Sequence, residues 1–455
     1  MNIGALNNFN QTLSAAQPAP GPAAAQAENR NEEVSPNISE SFTPSQDSSV
    51  NLIVQGDAAA LNALKAELLA DGQSNRVTAE LPIIGGFAVS VSPQDEDTIA
   101  SLAQAKREGV MITVDQPTDF TSDNTVYEDL DEIHDAIAGL AGDKQTNVMF
   151  GVEQLHERGI TGKGTTICVL DSGIAPHPDF QDRIIAFKDC VNGRTEPYDD
   201  NGHGTHCAGI CAGSGESSGG QITGVAPEAN IVGVKVLDQF GQGTTSQILK
   251  GIQWAIMNKN KYGIDVITMS LGHPIEKTRY LDPLTMGVQA AAKFGITVVV
   301  SAGNDGPDTG TLSAPGNAPA AITVGALDDN GTEDPSDDWI AHFSSRGPSR
   351  FDNIDKPDVI APGVDIISCG HEGGYVKMSG TSMATPFTAG VAALMKQQQP
   401  DLRPKDIKAI IMDNAKPIEY LDKTAQGAGA VDPKASIDAV SGPRKVKILK
   451  LTRHG

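Results

Sequence analysis

The chain has 455 residues, 39% of them hydrophobic, with 48 glycines and a formal net charge of −23. That length holds two or three domains. The acidic balance argues against nucleic acid as the main partner, and no stretch approaches the roughly 18 consecutive apolar residues of a membrane span.

Residues 1–48 are polar and rich in Ala, Pro, Asn and Gln, and read as a disordered leader. They lack the basic start and continuous apolar core of a Sec signal peptide, so the expected location is cytoplasmic or reached by a non-Sec export route. From 49 to 120 the pattern changes. Strands are predicted at 51–54, 86–91 and 111–114 and helices at 58–70 and 97–106, a βαββαβ-like order typical of a small α+β, ferredoxin-like domain. Residues 121–144 are acidic and loosely patterned. They read either as a linker or as an acidic amphipathic helix packed on the next domain.

From 145 to 441 strands alternate with helices. Strands fall at 165–170, 230–237, 264–269, 296–301 and 321–326, and helices at 245–257, 380–397, 403–414 and 432–440. Within 245–257, Ile248, Leu249, Ile252, Ala255 and Ile256 form an apolar stripe at helical spacing. Such alternation implies an α/β domain with a mostly parallel sheet covered by helices. Residues 442–455 form a tail alternating basic and apolar residues. It reads as a terminal strand on an acidic body, or as a membrane or nucleic-acid contact. The five cysteines are odd in number and give no clear disulfide framework; Cys168 and Cys207 look like small buried apolar residues.

Three glycine-flanked segments carry chemistry. Asp171 stands in Val169-Leu170-Asp171-Ser172-Gly173, His203 in Asn201-Gly202-His203-Gly204-Thr205-His206, and Ser382 in Gly380-Thr381-Ser382-Met383-Ala384-Thr385-Pro386. A serine hydroxyl needs a neighbouring base. Histidine titrates near neutral pH and suits that work, and a buried carboxylate holds the imidazole in the right tautomer. Ser382 opens a long apolar helix, where the helix dipole favours negative charge. The simpler alternatives are that Asp171 caps a turn and that His203 and His206 form a metal pair. The latter lacks the glutamate of the zinc-protease motif. An α/β-hydrolase would need G-x-S-x-G and the order Ser…Asp…His, which the chain does not have. A non-catalytic peptide-binding scaffold would leave the complete Asp, His and Ser set unexplained.

The segments "VLDSGI", "NGHGTHCAG" and "GTSMATPFTAG" resemble the Asp, His and Ser signatures of the subtilisin-like serine proteases (subtilases, peptidase family S8); subtilisin is itself the standard example of that chain order. The resemblance implies an α/β, subtilisin-like three-layer fold and a serine endopeptidase that works through an acyl-enzyme. Residues 49–120 resemble the inhibitor-I9-like propeptide of such enzymes. This implies an autoprocessed zymogen, with its own propeptide as intramolecular inhibitor, polypeptides as substrates and a processing site within 121–144. An independent regulatory or dimerising domain is the other reading of 49–120.

By the same resemblance Asn304, in Ser301-Ala302-Gly303-Asn304, donates its amide to the oxyanion, with the backbone N–H of Ser382 as second donor. Its alternative is a residue that shapes a turn. Ser270-Leu271-Gly272 and Gly241-Gln242-Gly243 would sandwich an extended substrate as an added strand, and Ser301, Ala302 and Gly303 would wall a roomy, uncharged specificity pocket. Loop punctuation is the bland reading of those glycines. No cofactor is implied for the chemistry. Asp179, in "HPDF", matches a position that ligates structural calcium in many subtilases, yet the loop 213–222 lacks the asparagines that complete that site. Tyr198-Asp199-Asp200-Asn201 offers other hard oxygen ligands.

Overall fold

Alternating apolar residues shape the first strands of the structure, a computed structural model that describes residues 49–70, 76–92, 94–120, 150–332 and 336–441. The predicted leader, acidic linker and basic tail therefore lie outside the described residues. The chain divides into two compact units, Met1–Asp115 and Gln116–Gly455.

The described part of the first unit runs β1 (Val50–Gln55), α1 (Ala58–Leu68), β2 (Val77–Leu81), β3 (Gly86–Val91), α2 (Glu96–Arg107) and β4 (Met111–Val114). Its sheet is antiparallel in the order β2-β3-β1-β4. Leu52, Val54, Phe87, Val89 and Val91 pack against Leu61, Leu64, Leu68 and Leu102. Asp57 caps α1 by accepting from the N–H groups of Ala59 and Ala60, and Asp95 caps α2 through the N–H of Thr98. The sequence pattern did not locate β2. It is an edge strand whose fully buried side chains are only Ala79 and Leu81.

The second unit begins with β5 (Pro117–Phe120), followed by α3 (Val152–Glu157), β6 (Thr166–Asp171), β7 (Ile184–Asp189), α4 (His203–Ala212), β8 (Asn230–Lys235), β9 (Gln242–Thr244), α5 (Thr245–Tyr262), β10 (Ile264–Met269) and β11 (Leu271–Pro274). It continues with α6 (Pro283–Lys293), β12 (Thr297–Ser301), β13 (Ser313–Ala314), β14 (Ile322–Asp328), β15 (Trp339–Ile340), β16 (Val359–Pro362), β17 (Ile366–Cys369) and β18 (Tyr375–Met378). The helices α7 (Thr381–Gln398), α8 (Pro404–Asn414), α9 (Lys423–Gln426) and α10 (Pro433–Ser441) close it.

The main sheet has the order β15-β14-β12-β10-β6-β8-β7, with β16 also paired to β14. All of its ladders are parallel except β14 with β15. Strands buried on both faces explain the near-continuous apolar runs of β6, β10 and β12. After β6 the chain builds β7 and β8 on one side of it, then crosses to build β10 on the other. That reversal opens a crevice at the carboxyl ends of β6 and β10, where ligands of open α/β sheets bind.

Helix α7 packs on the main sheet against β10, β12 and β14. Every residue from Thr381 to Met395 is buried, because Ala384, Ala389, Ala392 and Ala393 let it approach while Phe387, Val391 and Leu394 fill the core. Helix α5 starts with a reciprocal capping box between Thr244 and Gln247. Four short strands form a second sheet, β13-β11-β5-β9.

Candidate active site

Three strand ends and two helix starts bring the predicted groups together. Asp171 is the last residue of β6, and His203 the first of α4. Gly204 lets the two approach: a Cβ there would lie 2.2 Å from the Gly173 carbonyl and 3.0 Å from Asp171 Cβ. His203 Nδ1 then sits 2.7 Å from Asp171 Oδ1, with both side chains buried. The N–H of Ser172 donates to the same oxygen at 2.7 Å. Among the described residues Asp171 Oδ2 and His203 Nε2 have no hydrogen-bond partner. Burial of the ring opposes its charging, but the Asp171 carboxylate and its hydrogen bond outweigh this and hold the His203 pKa well above the ordinary histidine value.

Ser382 is the second residue of α7, and a proline four residues on helps to fix it. Pro386 has no N–H to return to the Ser382 carbonyl. That carbonyl instead accepts from Ser270 Oγ at 2.9 Å and from Cys207 Sγ at 3.5 Å. Ser382 Oγ in turn donates to the Ser270 carbonyl at 3.4 Å. Cys207 also lies 3.9 Å from His203 Nδ1, so one buried thiol touches both the histidine and the serine segments. Asn304 follows the end of β12, and its Oδ1 accepts from Thr381 N at 3.0 Å and Thr381 Oγ1 at 2.9 Å. With its oxygen so engaged, the amide's NH₂ is its other, donating end.

The two predicted substrate walls pair with this chain's own segment. Strand β5 runs antiparallel to both β11 and β9: Phe120 faces Leu271, Asp119 faces Gly272 and Gln242, and Thr118 faces Gly243. Phe120 N donates to Gly241 O at 3.3 Å, and its ring stacks on His203 with centroids 4.7 Å apart and planes 14° apart. Ser301, Ala302 and Gly303 lie at the end of β12 next to Asn304. The carbonyls of Ala302 and Gly303 are taken by the N–H groups of Ser313 and Ser345, so this wall is held from behind.

Sequence reasoning missed several supporting residues. Asp199 is buried and ties the Asp171 and His203 segments together. Its Oδ1 accepts from Ser172 Oγ, Asn201 N and Gly202 N, and its Oδ2 from Thr205 N and Oγ1. Burial alone would raise its pKa; these hydrogen bonds more than offset that and hold it below the ordinary carboxylate range. The aspartate-rich run before "NGH" was the available signal, and its oxygens are spent inside the protein. Asp200 pairs with the fully buried Lys235 at 2.5 Å, and Tyr198 Oη donates to Asp189 at 2.7 Å. His206 does not face His203's partners. Burial and the neighbouring His203 push its pKa down to about 3, and its Nε2 contacts the Ile366 and Val376 carbonyls at 3.0 Å each.

Asp179 can be tested as a calcium ligand. Its Oδ1 accepts from Ser217 N at 2.8 Å, and its Oδ2 from Gly215 N at 3.2 Å, Tyr375 Oη at 2.8 Å and Cys369 Sγ at 3.7 Å. His177 Nδ1 lies 3.8 Å from Asp179 Oδ1 and accepts from Asp179 N at 3.1 Å. Calcium takes six to eight oxygen ligands. Here one carboxylate is surrounded by donors, an imidazole and a thiol, and the loop 213–222 presents N–H groups rather than oxygens. The residues present do not fit calcium.

A serine at a helix start, an imidazole backed by a buried carboxylate and an amide donor beside them are the parts of a triad serine hydrolase, and the strand-pairing walls suit an extended peptide. The chain belongs to the subtilase family (peptidase S8), whose description matches residues 162–434, and it is a serine endopeptidase. It is 48% identical over 299 residues to serine protease AprX of Bacillus subtilis (strain 168), a match covering 61% of this chain and 67% of the relative. Subtilisin E of the same strain is 40% identical over 270 residues, covering 57% of this chain and 64% of the relative. Fervidolysin from Fervidobacterium pennivorans, a keratinolytic enzyme related to subtilisin, matches in structure with a TM-score of 0.69 at 23% identity, over 87% of this chain and 61% of that one. At that identity the likeness speaks for the fold. No described helix is long and apolar enough to cross a membrane.

Proposed function

We propose that Ser382 is the nucleophile, His203 the general base and then acid, and Asp171 the group that orients and charges the imidazole. Ser382 Oγ attacks the scissile carbonyl as His203 Nε2 takes its proton. The oxyanion is met by the Asn304 amide and the Ser382 N–H at the start of α7. Collapse expels the amine, protonated by His203, and water then hydrolyses the acyl-enzyme by the same proton path. None of these steps calls on a cofactor. We also infer that Asp179 is an internal anchor rather than a calcium ligand.

The observation that carries the reading is β5. A segment of the chain lies as an added strand between the walls formed by Gly241–Gly243 and Leu271–Gly272, with its last described residue stacked on His203. This supports a chain made as a self-inhibited zymogen in which residues 117–120 occupy the cleft until the chain is cut on their C-terminal side. The test compares the full-length chain with Ser382→Ala by intact-mass measurement. Wild type is expected to cut itself shortly after residue 120 and to hydrolyse polypeptides, while the variant stays whole and inactive. A variant that still processes itself and digests substrate would overturn the assignment.

A further inference from the structure

The turn before β9 is built to leave room for a ring. Gly241 has φ +73°, and a Cβ there would lie 1.7 Å from Phe120 Cε1 and 2.2 Å from Cδ1. Any side chain at 241 would thus occupy the place of the phenyl group. The same ring stacks on the His203 imidazole. The turn itself is held tightly. Asp238 Oδ1 accepts from Phe240 N and Gln242 N at 2.8 and 3.0 Å, Gly241 N donates to Asp238 O at 3.0 Å, and Asp238 N donates to Gln242 O at 2.7 Å. The place of this ring is therefore bounded by Gly241 and by His203, and the turn that carries Gly241 is held by its own hydrogen bonds.

We infer that this slot is a substrate subsite selective for a large aromatic side chain, with Gly241 as the residue that sets the selectivity. The inference rests on the endopeptidase reading above. A substrate strand in the register of β5 places the residue at Phe120's position opposite Leu271. Its next residue then faces Ser270, which is hydrogen-bonded to Ser382 in both directions. The aromatic residue is accordingly the second one before the cleaved bond. Stacking on the imidazole and filling the slot both favour Phe, Tyr or Trp over small or β-branched side chains. A planar ring fits a gap that a tetrahedral branch does not.

The experiment is a mixed peptide library digested by the full-length protein after any self-cleavage has gone to completion, with cut sites mapped by mass spectrometry. Paired peptides differing only in Phe against Ala at the second position before the cut then give the ratio of kcat/KM values. An enrichment of aromatic residues at that position and a ratio of about tenfold or more are expected. In Gly241→Ala the same ratio should fall to near one. Because alanine at a left-handed position strains the turn, Phe120→Ala gives a second check: self-cleavage of the full chain should slow relative to Phe120→Tyr. Cleavage without aromatic enrichment, or a ratio unchanged by Gly241→Ala, overturns the subsite and leaves the peptidase reading standing. No cleavage of any peptide sinks both.

Discussion

Asp171 and Asp179 stand in the same stretch of chain after the body of β6, both almost fully buried, yet their surroundings differ in kind. Asp179 is met by fixed donors on every side: two backbone N–H groups, a phenol and a thiol. Asp171 has one backbone N–H and one imidazole on a single oxygen, and its other oxygen has no partner among the described residues. A carboxylate ringed by hydrogen-bond donors from several segments ties those segments together and holds structure. One left facing a titratable ring lends its charge to that ring. On this contrast rests the proposal that Asp179 is an anchor and Asp171 the group that orients and charges His203.

The largest break in that contrast is expected from Asp171→Asn. The amide offers the imidazole neither its charge nor the right tautomer, and kcat should fall by about 10⁴-fold, a size carried over from subtilisin and the other triad enzymes. That is about 5.5 kcal/mol of barrier, while thermal stability should move much less. The pH profile supplies the sign. His203 must be neutral to act as base, so kcat/KM in the wild type should rise with pH through a midpoint above the ordinary histidine value. Removing the Asp171 charge leaves burial to dominate, and the residual activity of the variant should rise through a lower midpoint. An unshifted midpoint would show that Asp171 does not charge the ring.

Asp179→Asn should act on the other axis. It turns an NH₂ toward donors on the loop 213–222 and leaves buried groups unpaired, at a cost of about 3 kcal/mol or more of stability. For peptides cleaved at temperatures where the variant stays folded, kcat should hold. A large loss of kcat with unchanged Tm would reverse the distinction between the two aspartates.

How much of this was legible in the sequence follows from where each signal resides. Local patterns placed β6, β10, β12, α5 and α7 within a residue or two, except the C-terminal end of α5, because apolar runs and helical stripes are set by neighbours in the chain. The Asp171, His203 and Ser382 segments were readable because tight approach demands glycines beside them, as at Gly204. Tertiary reuse of polar atoms left no such mark. The donors around Asp179 come from residues 215, 217, 369 and 375, and the partners of Asp199 straddle two segments, so the family resemblance suggested a metal ligand at Asp179 and hard-oxygen composition suggested one in the run 198–201. Phe120 on His203 was unreadable for the same reason: the stacking depends on β5 adding to β9 and β11, and the sequence pattern set 49–120 apart as one domain although the structure groups residues from 116 onward with the second unit.

The smallest expected effect tests whether Asp179 is held by protein alone. Tyr375→Phe deletes one donor, the 2.8 Å hydroxyl, and keeps the ring that packs against His177. Burial, together with its bond to Asp179, pushes the Tyr375 pKa up, so the hydroxyl is a donor across the working pH range. Its loss should cost about 1–2 kcal/mol, a Tm drop of a few degrees for a unit of this size. A chelator separates the two accounts of that site. If protein donors alone satisfy the carboxylate, EDTA should lower Tm in the wild type and in Asp179→Asn by equal amounts, whatever ions are bound elsewhere. If a cation bound Asp179, the wild type would lose stability to EDTA that the variant had already lost, and the two shifts would differ.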